Sequence, residues 1–484
     1  MSLPEVSTQP RKWWILGSVA IGTFMATLDG SIVNVALPTI SSEFKVHLDE
    51  IQWVVSSYLL TISSLLLIFG RFADIIGRKK VYGTGFLVFV LGSALCGFAS
   101  TLELLVASRV VQAAGAAMMM ANGMGIVTSV FPPQQRGQAL GIMGTVVSAG
   151  SLAGPSIGGF LVAKFGWSSI FLVNLPIGLL GFGAAQLFLP RDPAKETREP
   201  FDWAGALLFA GGLISLLWGL SNGQDYGWSA PPIIGSLALA VAALGIFFRL
   251  ELKTPHPMLD LSLFKNRVFL AGNTAGLISF VAMFSTTILV PFYLQRILHF
   301  TPDKVGLLMT PFPVVMAVVA PLSGWLSDKV SHVLLTSGGL VVNAAGLVWL
   351  SRLGPETGFV EVALHLGVLG LGMGLFQSPN NSSVMGVVPP PKLGIAGGVN
   401  ALVRNVGMVT GIAFSVSLFT NRLTALGGVS EPVTRQHVDA FLSSMSTVFL
   451  AAAALSLLGA FISAIRGKKE ELSHGNIVDK KMTP

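Results

Sequence analysis

Gly150-Ser-Leu-Ala-Gly154-Pro155-Ser-Ile-Gly158-Gly159 sets five helix-weakening residues into an otherwise apolar stretch. Each Gly costs a helix about 1 kcal/mol relative to Ala, and Pro about 3. A hydrophobic segment keeps so many only where a neighbouring helix must come very close, or where the helix must bend. In a membrane, the small-xxx-small spacing of Gly150, Gly154 and Gly158 reads as a packing seam. The stretch therefore predicts a transmembrane helix pressed against a partner, with a bend at Pro155.

The rest of the chain has the composition such a helix needs. Of its 484 residues 52% are hydrophobic and only 11% charged, against about 25% charged in a soluble domain. This predicts an all-α polytopic membrane protein. Arg11 and Lys12 precede an apolar run that begins at Trp13 and passes Val35 without a small-residue cleavage site. The first segment is therefore expected to be retained as a span. The single cysteine, Cys96, has no partner for an internal disulfide.

Apolar runs of about 20 residues place fourteen spans, at roughly 13–38, 51–70, 81–100, 103–124, 138–162, 168–189, 203–221, 232–250, 268–291, 304–325, 333–352, 361–380, 393–419 and 443–465. With the N-terminus in the cytoplasm, the outer loops hold only Lys45, Lys164, Arg296, Lys304, Arg352, Arg422 and Arg435. Almost all other basic residues fall on the inner side, among them Arg71, Arg78, Lys79, Lys80, Arg136, Lys253, Lys265, Lys392 and Arg466. That positive-inside bias predicts cytoplasmic termini on both sides of an even number of spans. It also accounts for the net charge of +7 without nucleic acid as a partner.

The chain repeats itself weakly. Gly70 and Asp74 at the end of span 2 recur as Gly324 and Asp328 at the end of span 10. Pro132, Gly137, Ala139, Gly141, Gly150 and Gly154 recur, at one constant offset, as Pro389, Gly394, Ala396, Gly398, Gly407 and Gly411. Parallel repeats of this kind mark transporters in which two similar bundles rock about a central site. The expected organisation is a six-helix bundle over 1–190, two inserted helices over 191–255, a second six-helix bundle over 256–466 and a cytoplasmic tail over 467–484. Lys468 and Lys469 in that tail suit contact with lipid headgroups. Ile412 and Val416 stand where Pro155 and Gly159 have their counterparts, so the close-packing seam is shared between halves and the bend is not.

The loop after span 2 reads G-RFADIIGRKK from Gly70 to Lys80. Gly70 permits close helix approach, Asp74 can accept hydrogen bonds from a helix N-terminus, and Arg78 can hold a carboxylate or a helix C-terminus. With Gly77 between them, and the echo at Gly324 and Asp328, the spacing reads as a conformational latch rather than an ordinary basic loop.

At this point the chain resembles the major facilitator superfamily, and within it the fourteen-span drug:proton antiporters. The Gly70, Asp74, Gly77, Arg78 and Lys79 loop is similar to the superfamily signature between spans 2 and 3. L-D-GSIVNVALP from Leu28 to Pro38 resembles the first-span signature of this branch, and R-VVQAAG-A from Arg109 to Ala116 the span 4 motif, with Gln112 in place. Gly150, Gly154, Pro155, Gly158 and Gly159 match the span 5 antiporter motif. WSSIFLVNLPIG from Trp167 and HPMLDLSLFKNR from His256 add branch-level similarity. The resemblance implies the major facilitator fold and proton-driven export of hydrophobic small molecules by a multi-pass protein of the plasma (inner) membrane.

Asp29 is the sharpest single residue. It stands about 24 Å into span 1 at 1.5 Å per residue, and an acid at a helix centre costs about 2.5–3.5 kcal/mol on insertion scales. Such a residue is expected to face the interior and to pair, when ionised, with Arg109 at comparable depth in span 4. Protonation would then release the pair; the alternative is a fixed helix–helix clamp. Asn34, Gln112, Arg404 and Asn405 are candidate substrate-pathway residues, with Arg404 standing out because a buried cation needs a partner or water. Met118, Met119 and Met120 are expected to cover all faces of a lipid-exposed helix, with an adaptable binding wall as the alternative. Scattered histidines give no metal site, and without a phosphate-binding loop ATP does not drive the machine. No cofactor is expected, a proton gradient supplies the energy, and the chain is no enzyme. Its partners are a hydrophobic small molecule, protons and the bilayer, and it is expected to act as a monomer. The resemblance associates additional acids in the C-terminal half with dicationic cargo; spans 10 and 13 carry none, which favours neutral or singly charged compounds. An importer, uniporter or metabolite exporter on the same fold is the alternative.

Overall fold

The computed structural model describes residues 9–190, 202–254, 259–327, 329–389, 392–427 and 435–467, and every regular element among them is helical. Helices are what a lipid environment demands, because they satisfy the backbone within each segment. Thirteen are long and apolar enough to cross a membrane. The helix that carries the glycine run has 33 residues and ample length besides.

Two compact units divide the chain. The first holds Met1–Leu259 and Val290–Thr310. Its helices are α1 (Gln9–Phe44), the short α2 (Leu48–Ile51), α3 (Trp53–Ile76), α4 (Arg78–Gly97), α5 (Leu102–Val130), α6 (Pro133–Phe165), the short α7 (Ser169–Leu172), α8 (Asn174–Phe188), α9 (Trp203–Tyr226) and α10 (Pro231–Glu251). The end of α11 (Arg267–Arg296) and α12 (Pro302–Met309) complete it. The second unit holds the larger part of α11 with α13 (Pro311–Ser327), α14 (His332–Leu350), α15 (Phe359–Gly386), α16 (Leu393–Ala425) and α17 (Arg435–Gly467).

Two features depart from the span boundaries read from sequence, and a third locates the inserted pair. First, α1 has 36 residues, about 54 Å, and outruns the hydrocarbon core of about 30 Å. Second, span 10 is two helices, α12 and α13, broken between Thr310 and Pro311. Proline lacks the N–H that would continue the ladder and disfavours a helical residue before it. Third, the pair α9–α10 falls in the first unit: α9 packs on α3 as well as on α10, and Phe209 meets Phe247 at 5.2 Å between ring centroids.

Polar side chains tie the second unit together. Asn343 on α14 donates to Ser456 Oγ on α17 at 3.2 Å, and Ser456 donates on to the Leu340 carbonyl at 3.0 Å. Thr336 and Ser463 share a hydrogen bond of 2.7 Å between the same two helices.

Candidate functional site

Asp29 on α1 and Arg109 on α5 meet inside the first unit, both fully buried. Arg109 Nη1 donates to Asp29 Oδ2 at 2.6 Å and to Gln112 Oε1 at 2.6 Å, while its Nε donates to the Val54 carbonyl at 3.0 Å. The guanidinium lies 3.9 Å over the Tyr58 ring and 5.6 Å from that of Phe171, a placement that adds cation–π attraction. Asp29 Oδ1 accepts from Gln112 Nε2 at 2.8 Å and from Asn174 Nδ2 at 2.8 Å. Gln112 Nε2 also donates to Ser93 Oγ at 2.8 Å, and Cys96 Sγ stands 3.8 Å from Gln112 Oε1.

This arrangement suits an ionised carboxylate, which accepts and does not donate: all three side chains facing Asp29 are donors. Removing one partner of a buried ion pair leaves an uncompensated charge and costs about 3–5 kcal/mol. Arg109 is partly insulated from that penalty, because the Val54 carbonyl, Gln112 and Tyr58 hold it independently of Asp29.

The local sequence explains how these groups converge. Arg109 and Gln112 are three residues apart and share a helix face. Gly92 and Gly115 bring α4 and α5 together backbone to backbone. A β-carbon on Gly92 would run into the Gln112 backbone, and one on Gly115 would meet Phe89 N and lie 2.6 Å from the Gly85 carbonyl. Ser93, beside Gly92, thereby reaches Gln112. Asn174 is the first residue of α8, at the break from α7.

The glycine run of α6 has two working faces. Gly150, Gly154 and Gly158 lie against α1 around Asp29. A β-carbon on Gly150 would stand 3.0 Å from the Phe24 carbonyl, one on Gly154 would fall on Ser31 Oγ, and one on Gly158 would lie 2.9 Å from the Ile32 carbonyl. Ser31 Oγ donates to the Gly150 carbonyl at 3.2 Å across this seam. Pro155 and Gly159 form the other face and meet α12: a β-carbon on Gly159 would strike the Pro302 carbonyl and lie 3.0 Å from Gly306 Cα, while one on Gly306 would strike the Pro155 carbonyl. Ser156 and Thr310 share a hydrogen bond of 2.7 Å beside it.

The second unit repeats the first face only. Gly407 on α16 packs on Leu277 and Phe280 of α11, and Gly411 on Val281 and Phe284. These four keep the spacing of Phe24, Thr27, Leu28 and Ser31 on α1, and in that register Ala282 stands at the place of Asp29. Ile412 and Val416 are buried side chains where α6 has Pro155 and Gly159.

In the loop after α3, Gly77 ends the helix at φ 106°, a conformation that L side chains rarely adopt. Arg78 Nη1 donates to the Gly125 carbonyl of α5 at 3.0 Å. Lys79 Nζ donates to the Gln186 and Leu189 carbonyls at 2.7 and 2.8 Å, placing a cation on the C-terminal end of α8. Gly70 faces Ala121, and Gly324 faces Ser378. The Asp74 side chain and Asp328 lie outside the described residues.

Other expected pathway residues divide. Gln112 belongs to the Asp29 network. Asn34 turns back to the Gly30 carbonyl of its own helix at 3.2 Å, leaving its Oδ1 buried without a partner. Arg404 and Asn405 stand on α16 of the second unit, each with a buried nitrogen that no hydrogen bond reaches. Met118 and Met119 are buried rather than lipid-facing: Met118 packs with Ala73 and Val81, and Met119 Sδ lies 3.2 Å from where a β-carbon on Gly22 would stand. Sequence reading missed Asn174 and Tyr58 as partners of the pair, and Gly92, Gly115 and Gly306 as close approaches.

A charged pair sealed inside a helical bundle, with seams of glycine around it, is an arrangement that suits a membrane transporter. The chain belongs to the Major Facilitator Superfamily, whose pattern residues 19–412 match. It is 36% identical to the riboflavin transporter RibZ of Clostridioides difficile (strain 630), over 96% of this chain and 99% of that protein. It is 34% identical to the methylenomycin A resistance protein of Streptomyces coelicolor, over 82% and 83% respectively. Its fold matches a bacterial homolog of the human lysosomal transporter Spinster in an inward-facing, occupied conformation, with a TM-score of 0.68, 14% identity and coverage of 96% and 98%.

Proposed function

We propose that this transporter is a proton-coupled exporter that moves hydrophobic small molecules, including antibiotics, out of the cell by alternating access. The observation that carries this reading is the Asp29–Arg109 pair with Gln112 and Asn174 converging on one carboxylate. Protonating Asp29 on Oδ2 removes the charge that holds Arg109 and turns that oxygen from acceptor to donor, while Oδ1 still accepts from Gln112 and Asn174. The Arg109 contact then no longer matches, and α1 is loosened from α5. Arg109 keeps the Val54 carbonyl and the Tyr58 face, so the neutral state is accessible without an orphaned cation. A proton taken up from outside would thus loosen the bundle around α1, and its release to the cytoplasm would restore the pair.

The glycine run relays that change. Its first face grips α1 on both sides of Asp29, and its second grips α12, whose chain continues through Pro311 into the second unit. Arg78 and Lys79 hold the ends of α5 and α8 as a latch, and Gly324 with Asp328 is its counterpart. In this account the chain has fourteen spans, two six-helix bundles with α9 and α10 inserted between them in sequence. It works as a monomer in the plasma (inner) membrane of a bacterium with both termini cytoplasmic. The resistance name borne by a relative of 34% identity supports export of a drug-like cargo. A second reading, movement of a vitamin-like planar solute, draws its support from the relative named for riboflavin.

Direction and coupling are tested together in everted membrane vesicles supplied with fluorescent dyes in the external medium. Accumulation driven by an imposed pH gradient and abolished by collapsing it is the expected result. Uptake into intact cells, or accumulation indifferent to the gradient, refutes the exporter reading.

A further inference from the structure

Arg404 is an intramembrane charge that the proposed exporter leaves unused. Arg404 lies about 16 Å along α16 from Leu393 at 1.5 Å per residue, roughly half the depth of a 30 Å hydrocarbon core. Its Nε is buried with no hydrogen-bond partner, and no ion pair reaches the side chain among the described residues. On the spanning helices of the second unit the acids among the described residues are Glu361, in the first turn of α15, and Asp439, in the second turn of α17. Asp29 in the first unit is already saturated by Arg109, Gln112 and Asn174.

The contact between α16 and α11 loosens beside Arg404. On the same face of α16, Gly407 and Gly411 press so closely on α11 that added β-carbons would lie 2.8 and 2.6 Å from the Leu277 and Val281 carbonyls. Toward the start of the helix this contact loosens. A β-carbon on Gly276 of α11 would find its nearest neighbour at 3.7 Å, and one on Gly397 would meet nothing within 4 Å. Arg404 and Asn400 stand one turn apart on this loosened stretch. Asn400 donates to Asn381 Oδ1 of α15 at 3.0 Å. Asn405, the next residue along, buries a further amide nitrogen without a partner.

An arginine stays protonated in proteins, and at a helix centre it costs about 2.5–3.5 kcal/mol on insertion scales unless paired or solvated. Among the described residues no acid pairs with it, so a counter-charge from outside the chain would complete the site. We propose that Arg404, with Asn400 and Asn381, forms an anion-recognition site, and that the cargo is an amphiphile presenting a negatively charged oxygen (a carboxylate, phenolate or enolate) on an apolar body. This deepens the export reading and rests on it for the word cargo. It also assigns the two units different tasks, with protons handled at Asp29 and cargo charge at Arg404.

The test is equilibrium binding to the purified, full-length protein in lipid nanodiscs, followed by fluorescence polarisation near neutral pH. Two xanthene dyes serve as probes, anionic fluorescein and cationic rhodamine 6G. Wild type is expected to bind fluorescein more tightly than rhodamine 6G. Arg404→Gln should weaken fluorescein at least tenfold and leave rhodamine 6G within twofold, and Arg404→Lys should recover part of the loss. Because no described residue pairs with the arginine, Arg404→Gln should keep or raise the thermal unfolding midpoint. Asn400→Leu, which spares the charge, should weaken fluorescein several-fold. Failure of fluorescein to bind wild type, preference for rhodamine 6G, or loss of both dyes together in Arg404→Gln overturns the proposal. No proton gradient is present, so a failed export assay with this binding pattern intact refutes the coupling reading alone.

Discussion

Filling the α1–α6 seam at Gly154 tests whether the glycine run acts through Asp29. In Gly154→Ala the new β-carbon falls on Ser31 Oγ, 2.7 Å from Ser31 Cβ and 3.0 Å from Ile32 N. Rotating Ser31 relieves the hydroxyl but not its β-carbon or the backbone nitrogen. The helices must therefore part by something on the order of 1 Å to reach ordinary van der Waals separation. That motion breaks the Ser31–Gly150 hydrogen bond, which is already 3.2 Å long and worth about 0.5–1.5 kcal/mol. Overpacking adds about 1–3 kcal/mol. Asp29 sits one half-turn before Ser31, so its 2.6 Å contact with Arg109 stretches with the helix. The expected outcome is protein present in the membrane at normal amounts, a lowered unfolding midpoint, and efflux of fluorescein, rhodamine 6G and ethidium reduced at least tenfold. Gly154→Val should be worse. The control is Gly183→Ala, where an added β-carbon meets nothing within 4 Å and helix propensity improves by about 1 kcal/mol. If Gly154→Ala is as stable and as active as Gly183→Ala, the seam does not carry the coupling.

Asn174→Leu removes a donor from a buried carboxylate, a loss of about 1.5–3 kcal/mol; thermal unfolding in detergent should show it, while the equivalent change at Asn34, bonded only within its own helix, should be near neutral. Gly92→Ala drives a β-carbon into the Gln112 backbone and should lower the unfolding midpoint more than Gly276→Ala, where the nearest neighbour is at 3.7 Å. Outside the spans, Lys392 pairs with Asp260 at 2.6 Å, and its hydrogen bond, then that of Ser262, holds the Asp260 carboxyl below its usual range. A lowered carboxyl stabilises the fold above its unfolded value near 4 and loses that contribution as pH falls through its folded value. Asp260→Asn should therefore be less stable than wild type at neutral pH, by no more than about 1 kcal/mol for so exposed a pair, with the difference vanishing in acid; unfolding scans across that range measure it.

The residues legible in the sequence were those whose chemistry conflicts with lipid. Asp29 and Arg109 announce themselves as charges within apolar runs, and the α6 glycines as breakers in a helix that should not tolerate them. Asn174 gave no such signal, because a lone amide at a helix start reads equally as interhelical glue, and nothing in the spacing ties it to a residue on α1. Gly92, Gly115 and Gly306 were hidden among 55 glycines, since only the facing backbone distinguishes a close approach from an open position such as Gly183. Met118 and Met119 are buried where sequence points to lipid, for a related reason: lipid and core are equally apolar, so hydrophobicity alone does not say which face of α5 is buried. The repeat made the shared seam visible, but α12 becomes part of it only through a helix break at Pro311 that apolarity does not register.

Asp29→Asn is the most direct test of the central claim, that one buried carboxyl couples the proton gradient to cargo. The asparagine matches the neutral state in size and leaves Arg109 with the Val54 carbonyl and Gln112. Dye binding in nanodiscs should persist, while accumulation in everted vesicles driven by the pH gradient should disappear. Gradient-driven accumulation that survives in Asp29→Asn with the pH dependence of wild type would contradict the account.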